Sequence, residues 1–386
     1  MAYDTQPLPF RLGELDLSAP AFETWLNDTR QRQQSANLLT RPTILIGASA
    51  ILAQDFVAYT LSEGHVIALL DNARAGQSQN GIAIIGDPDL AQLLDRHPDA
   101  VGVLCCGSEN AINHFRKLWG ARPQPLLSYF ELIPLWPDSA SAGHRLANLP
   151  GFSTLDSVRA AHQSARRVLH DPLSLQTLDA LMLYRLTWDV NHLIPVARPE
   201  KAIYFEPDVM PLHDHEVLID GGAFDGDTVR DFVAKTHSRY DHIHAFELDP
   251  ANADAFRAKT AGIANVTLHS LGLWDGPAQL GIEHRPDNGS RVSERNEHLV
   301  QLDALDNIDV GAPTLIKFDV EGAEIEALTG ARRLIQTHRP RMAVCAYHKP
   351  DDFVTLIDKI QALRPDYSFA LRHYSPILYD SVLFCT

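Results

Sequence analysis

The stretch from Val217 to Thr228, VLIDGGAFDGDT, decides the fold of this chain. An apolar run ends at Asp220, and the glycines that follow allow a tight turn into the next predicted helix. Glycine adopts backbone angles that strain other residues and has no Cβ, so a ligand can lie against the main chain here. Asp227 is suited to cap the helix. The stretch therefore predicts a strand, a ligand-binding turn and a helix.

A second carboxylate lies at the end of the next predicted strand. The segment from Phe246 to Pro250, FELDP, puts Glu247 about twenty residues after the turn, where open α/β sheets hold the hydroxyls of a ribose. The two segments together indicate a nucleoside-binding site, although a structural turn and a solvated Glu would give the same pattern. The turn lacks both the G-x-G-x-x-G spacing and the P-loop lysine. Asp220 would repel a pyrophosphate, whereas it suits a cationic cofactor such as a sulfonium.

A third segment, TLIKFDVEGAEIEALTGA at 314–331, gathers charged residues around a strand end and a helix start. With the first two segments and VQLD at 300–303, it resembles the FkbM family of S-adenosylmethionine (SAM)-dependent methyltransferases over roughly residues 216–386. Four motifs recur in order, and K-x-DVEGAE is close to diagnostic. The resemblance implies a class I methyltransferase sheet, Rossmann-like and parallel with an antiparallel final strand. It also implies methyl transfer from SAM to a hydroxyl of a small metabolite, such as a sugar or a glycan or polyketide precursor.

The resemblance also assigns residues to the site. The cofactor-binding residues it implies are Asp220, Gly222, Ala223, Gly226 and Glu247, of which Glu247 takes the ribose hydroxyls.

For the methyl transfer we expect His348 to be the general base, oriented by Asp319 or Glu321. An alternative is that Asp319 and His348 hold a divalent cation under the acceptor. The family often has Glu-x-His at this strand, whereas this chain reads CAYH and lacks the acidic residue. The expected substrate contacts are Lys317, Arg372 and His373, although each could also be a structural residue.

An earlier block of alternating strands and helices predicts a second, smaller Rossmann-like α/β domain. The domains expected are a leader at 1–40, this block at 41–135, a mainly helical linker at 136–212 and the methyltransferase domain at 213–386. The turn after Gly47 departs from the dinucleotide pattern, and Asp71 ends the next strand. The run from Leu69 to Asp89 is loosely similar to amino-terminal Rossmann-like domains of sugar O-acyltransferases and other polysaccharide-biosynthesis enzymes, which implies that the block holds the nucleotide part of a sugar nucleotide or presents the acceptor. A scaffold or dimer-forming role is equally open.

Composition limits the possible partners. The chain has 386 residues, of which 33 are Lys or Arg and 49 are Asp or Glu, so its formal net charge is −16. Nucleic-acid binding is disfavoured, because phosphate contacts need clustered Lys and Arg. The longest apolar run is shorter than the ~18 residues of a membrane span. The first twenty residues show no signal peptide, and the four cysteines lack metal-ligand spacing. We therefore expect a cytoplasmic protein with buried free thiols, and a homo-oligomer is open.

Two other functions stay open. An NAD-dependent oxidoreductase could be built on the first block, but the later glycines of the turn and a catalytic Tyr-x-x-x-Lys are missing. A SAM- or nucleotide-binding module without catalysis would keep the same turn and strand-end carboxylates. We favour the enzyme, because several acidic residues lie at predicted strand ends.

Overall fold

The computed structural model describes residues 10–35, 40–49, 53–106, 108–135, 155–284, 290–293, 299–349, 351–377 and 379–386. Part of the expected linker, 136–154, lies outside these residues. The chain divides into two compact units. The first comprises Met1–Arg159, Asp179–Pro195 and Pro376–Leu378, and the second comprises Ala160–Leu178, Val196–Ser375 and Tyr379–Thr386.

The first unit contains a sheet of six short strands within the described residues, in the order β3-β4-β2-β1-β5-β6. The strands are β1 Thr43–Ile46, β2 Val66–Leu70, β3 Ser78–Gln79, β4 Ile82–Ile85, β5 Val101–Leu104 and β6 Leu126–Ser128. All pairs are parallel except β3 with β4. Helices follow the strands, as predicted for an α/β block. They are α2 Gln54–Glu63, α3 Asp87–Arg96 and α4 Glu109–Trp119.

A further helix, α1 Pro20–Ser35, lies where the sequence predicts only a polar leader. It buries Phe22, Trp25 and Leu26, and apolar burial at this spacing holds a helix that is polar elsewhere. Two helices lie in the described part of the segment expected to be a mainly helical linker, α5 Leu155–Arg166 and α6 Pro172–Thr187.

The second unit contains the larger sheet, of seven strands within the described residues. Its strands and those of a smaller sheet are, in chain order, β7 Val217–Gly221, β8 His242–Phe246, β9 Val266–His269, β10 Gly272–Leu273, β11 Ala278–His284, β12 Ser290–Ser293, β13 Leu299–Asp303, β14 Leu315–Phe318, β15 Arg341–Cys345, β16 Phe369–His373 and β17 Ser381–Cys385. The larger sheet has the order β16-β17-β15-β14-β7-β8-β9, and the smaller has the order β10-β13-β11-β12.

The final strand, β17, runs antiparallel to both of its neighbours, β15 and β16. The pairs among β7, β8, β9, β14 and β15 are parallel. The predicted parallel sheet with an antiparallel final strand is therefore confirmed. The helices of this unit are α7 Asp227–Lys235, α8 Pro250–Lys259, α9 Glu324–Gly330, α10 Arg332–His338 and α11 Asp352–Leu363.

The core of the second unit is apolar on both sides of its central strands. On one face, Leu218 and Ile243 pack with Val229, Phe232 and Phe256 of the covering helices. On the other face, the alternate residues Ile219 and Ile316 are also buried. Burial of both faces is what a parallel sheet between helices requires. Strand register then aligns the ends of β7, β8 and β14, because Gly221 pairs with both Phe246 and Phe318. The residues that follow these strands therefore meet at one edge.

Two expectations about the chain can be compared with the described residues. No helix among them is long and apolar enough to cross a membrane. All four cysteines are free and buried, as predicted.

Candidate functional site

A cavity of about 280 Å³ lies at the carboxyl edge of the larger sheet in the second unit. Its wall includes residues that directly follow three neighbouring strands, namely Gly222 after β7, Glu247 after β8 and Asp319 after β14. Open α/β sheets bind ligands at this edge. Of the residues expected to contact the cofactor, Gly222 and Glu247 border the cavity, whereas Ala223 and Gly226 of the same turn are not part of its wall.

The turn after β7 needs its glycines. Gly222 has φ of +77°, and a Cβ there would lie 1.8 Å from the carbonyl oxygen of Asp319. Gly226, at φ of +81°, starts α7 in the left-handed region, and a Cβ there would lie 2.6 Å from Cγ2 of Thr260. The backbone N–H groups of Gly222 and Ala223 both donate to the carbonyl of Phe246. The turn is therefore fixed against β8 and the loop after β14.

Glu247 is held by two backbone N–H groups. Its Oε2 accepts from Phe224 and its Oε1 from Asp249, both at 2.8 Å. Burial raises the pKa of Glu247, and these two hydrogen bonds oppose the rise. A carboxylate oxygen has more than one acceptor position, so the side chain can still accept hydrogen bonds from two ligand hydroxyls.

Asp220 acts on the turn through Lys317. Both side chains are buried, with Lys317 Nζ 3.0 Å from Asp220 Oδ1, and Lys317 also donates to the carbonyl of Gly222 at 2.6 Å. Burial opposes the charge of Lys317, but the carboxylates of Asp220 and Asp319 outweigh it and raise the pKa of the lysine. Lys317 borders the cavity, whereas Asp220 is not among its lining residues.

Asp319 receives two tyrosine hydroxyls. Tyr204 donates to its Oδ2 at 2.7 Å, and Tyr347 donates to its Oδ1 at 3.3 Å. Burial opposes ionisation, but the charges of Lys317 and His348 and the bond from Tyr204 outweigh it and lower the pKa of Asp319. Asp319 is therefore ionised at neutral pH. The two tyrosines were missed as site residues.

His348 lies among carboxylates. Its Nδ1 is 2.9 Å from Glu324 Oε1, and its Nε2 is 3.5 Å from Asp319 Oδ1 and 3.8 Å from Glu321 Oε2. Burial favours the neutral ring, but these carboxylates, Glu324 foremost, raise its pKa to about 10. The expected grouping of His348, Asp319 and Glu321 is therefore present. Protonated at neutral pH, however, His348 has no lone pair with which to act as the base predicted from the sequence.

The two remaining predicted substrate contacts lie away from the cavity wall. Arg372 is buried, with its guanidinium 3.0 Å from Asp171 and donating to Ser174 at 2.8 Å. His373 is also buried, with Nδ1 2.9 Å from the hydroxyl of Ser381. Both side chains therefore tie β16 to its surroundings, and we do not retain them as substrate contacts.

The divalent-cation alternative gains no support. Among the described residues, no group of three or more His, Cys, Asp or Glu side chains is arranged to hold a metal ion. A protonated His348 is also a poor ligand, because a metal binds the neutral imidazole.

Comparisons with known proteins find a matching family model and solved structures of similar fold. Residues 220–371 match the family model described as the methyltransferase FkbM domain. The crystal structure of methyltransferase FkbM from Methylobacillus flagellatus KT is 24% identical, has a TM-score of 0.70, and aligns over 94% of this chain and 99% of that chain. It shows a shared fold. Aeropyrum pernix fibrillarin is 9% identical over 49% of this chain and 75% of that chain, with a TM-score of 0.34. No curated protein matches the chain.

Proposed function

We propose that the protein transfers the methyl group of SAM to a hydroxyl of a small metabolite, because residues 220–371 match the family model described as the methyltransferase FkbM domain. A sugar, or a glycan or polyketide precursor, is the acceptor class we favour. The observation that carries the proposal is the ionised Asp319 at the cavity wall, which receives the hydroxyls of Tyr204 and Tyr347. The four free, buried cysteines suit the reducing cytoplasm, where we place the reaction.

The lining of the cavity suits SAM. Glu247 is the residue we assign to the ribose hydroxyls, since its oxygens keep acceptor positions beside their backbone bonds. Carboxylates of Asp227, Asp319 and Glu321 also border the cavity, and a negatively charged wall attracts a sulfonium and an ammonium. When bound, SAM supplies an electrophilic methyl group on a positively charged sulfur.

The acceptor hydroxyl must lose a proton as its oxygen is methylated. We assign that proton to Asp319, which is ionised and already receives hydroxyl donors on both oxygens. An acceptor hydroxyl would replace or join the weaker of these, the bond from Tyr347 at 3.3 Å. His348 then serves as a fixed cation that keeps Asp319 ionised. Holding the oxygen in line with the methyl group contributes much of the rate.

Calorimetric titration with SAM, and separately with NAD, tests the cofactor. We expect micromolar SAM binding, no NAD binding, and a loss of SAM affinity of ~10- to 100-fold in Glu247→Ala, which removes hydrogen bonds to a charged acceptor. Asp254→Ala is the control, because Asp254 is an exposed carboxylate that pairs with Arg257. NAD binding without SAM binding would instead support the oxidoreductase.

Transfer of an isotopically labelled methyl group to a panel of sugars and other hydroxyl compounds then tests the acceptor class. We expect label in a methyl ether formed from a hydroxyl of the acceptor, and we expect this product to form equally well after dialysis against EDTA, since no metal is part of the proposal. Labelling of amines alone would contradict O-methylation. A rate that collapses with EDTA and returns with a divalent cation would restore the metal alternative.

A further inference from the structure

Glu324 is an unusually buried carboxylate for the first turn of a short helix. It opens α9, yet its side chain is only 1% exposed. Acidic residues near a helix start gain from the helix dipole while remaining in water. Burial of a carboxylate is costly unless other groups compensate its charge, so the surroundings of Glu324 need a different explanation.

One oxygen of Glu324 holds the loop after β14. Oε1 accepts the backbone N–H of Val320 at 3.1 Å and that of Gly322 at 3.3 Å. In this segment, Glu321 has φ of +56° and Gly322 has φ of +97°. A non-glycine residue in the left-handed region is strained and persists only when its surroundings enforce it. The carboxylate therefore stabilises the backbone that carries Asp319 and Glu321.

The same oxygen also reaches the loop after β15. It lies 2.9 Å from Nδ1 of His348, whose side chain is 8% exposed. At its other end, this loop is held by α11, where Asp352 accepts the backbone N–H of Lys349 at 2.7 Å. A single carboxylate oxygen thus contacts two loops. It accepts from the main chain of the loop after β14, which carries Asp319, and it lies beside the imidazole of His348 in the loop after β15.

We propose that Glu324 is a positioning residue, which ties the loop after β14 to the loop after β15 and holds the His348 ring against Asp319. The proposal rests on the proposed function, because Asp319 is the group that receives the acceptor proton there. Glu324 acts through His348 and the loop backbone, without touching substrate. A carboxylate that serves only the helix dipole would contact neither loop.

The charge on His348 gives this role a direct readout. Several titratable groups interact with the ring, namely Asp319, Glu321 and Glu324 around the β14 loop, and Asp352 at the start of α11 and Asp380 before β17, whose pKa values burial raises to about 7. Among the three carboxylates around the β14 loop, Glu324 is the closest to the ring, and it has the largest effect in raising the pKa of His348. Removal of its charge should therefore lower that pKa more than any change at the surface of the same helix.

The test is an NMR titration of His348 in the full chain, with its signal assigned by its absence in His348→Gln. We expect the midpoint of wild type to lie above pH 9 and that of Glu324→Gln to fall by more than one pH unit, a tenfold change in the protonation equilibrium. Glu326→Gln is the matched control, because it removes the same charge from the same helical turn at a side chain that is 30% exposed and lies 3.9 Å from Lys349 Nζ, without contact to the His348 ring. It should leave the midpoint unchanged. Should Glu324→Gln not fold, Glu324→Asp, which keeps the charge but withdraws it, should lower the midpoint by a smaller amount.

Calorimetry with SAM and the methyl-transfer assay complete the design. Glu324→Gln should lower kcat at least tenfold while changing the dissociation constant of SAM little, whereas Glu326→Gln should change neither. An unchanged His348 midpoint in Glu324→Gln, or an equal change of midpoint in Glu326→Gln, would overturn the positioning role. Failure of wild type to bind SAM would instead overturn the proposed function, and the titration would still decide whether Glu324 holds His348.

Discussion

The buried pair of Lys317 and Asp220 predicts a large loss of stability when the lysine is replaced. Lys317→Met keeps an unbranched side chain but removes the ammonium group, which lies 3.0 Å from Asp220. The Asp220 side chain is 0% exposed. Breaking a buried pair by removing one partner costs about 3–5 kcal/mol. The upper half of that range applies, because Lys317 also donates to the carbonyl of Gly222. We expect the free energy of unfolding of the second unit to fall by about 4 kcal/mol at pH 8.

The loss should shrink as the pH falls. Burial raises the pKa of Asp220 even with Lys317 beside it, so removing the lysine raises this pKa further. When the pKa of an acid is higher in the folded than in the unfolded protein, the free energy of unfolding is highest below the unfolded pKa. It falls as the pH rises through the folded pKa. A tenfold change in the acid dissociation constant corresponds to about 1.4 kcal/mol. The variant should therefore approach wild type between pH 8 and pH 5.

Hydrogen exchange in increasing urea, read on peptides that contain β7 and β14, reports on the second unit alone. The control is the double variant Asp220→Asn with Lys317→Met, which removes both charges and should recover about half or more of the lost stability. An equal loss at pH 5 and pH 8, or a double variant no more stable than Lys317→Met, would refute the reasoning that an unpaired buried charge causes the loss.

Three further predictions concern the cavity wall. Asp319→Asn should lower kcat by about 10²- to 10⁴-fold with little change in SAM affinity measured by calorimetry, and an unchanged kcat would remove Asp319 as the proton acceptor. Tyr204→Phe should move the acid limb of the pH–rate profile to higher pH, because the hydrogen bond that it removes lowers the pKa of Asp319; a limb that stays in place would contradict that assignment. Gly222→Ala should destabilise the second unit by about 3 kcal/mol or more, since its Cβ would lie 1.8 Å from the Asp319 carbonyl oxygen. Urea-dependent hydrogen exchange measures this loss, and a variant as stable as wild type would mean that the turn moves aside.

Features set by local pattern could be predicted from the sequence. Positions 222 and 226 require glycine, because φ is positive there and other residues lie close to the backbone. Such a requirement is recognisable as a glycine pattern in the sequence. The antiparallel final strand follows from a short connection between β16 and β17, because a parallel pair needs a longer crossover. Glu247 could be found for a similar reason, since its position at a strand end fixes where it points.

Contacts between distant segments could not be predicted in the same way. Tyr204 and Asp319 are separated by 115 positions, and only the fold brings the hydroxyl to the carboxylate. Arg372 was expected to contact the substrate, but every residue of β16 is buried and the charge of Arg372 is matched by Asp171 of another segment. Helix α1 was missed because its buried side chains are few among polar ones.

The exchange of acid–base roles between His348 and Asp319 has one physical cause. A histidine suggests a base from sequence alone, because its ordinary pKa lies close to neutral pH. Buried charges must be compensated, however, and Asp319 and Glu324 both require a cation nearby. His348 becomes that cation because carboxylates lie 2.9 to 3.8 Å from its ring nitrogens. Its charge in turn lowers the pKa of Asp319. The spacing of the two loops, more than the identity of either residue, therefore decides which group is free to receive a proton.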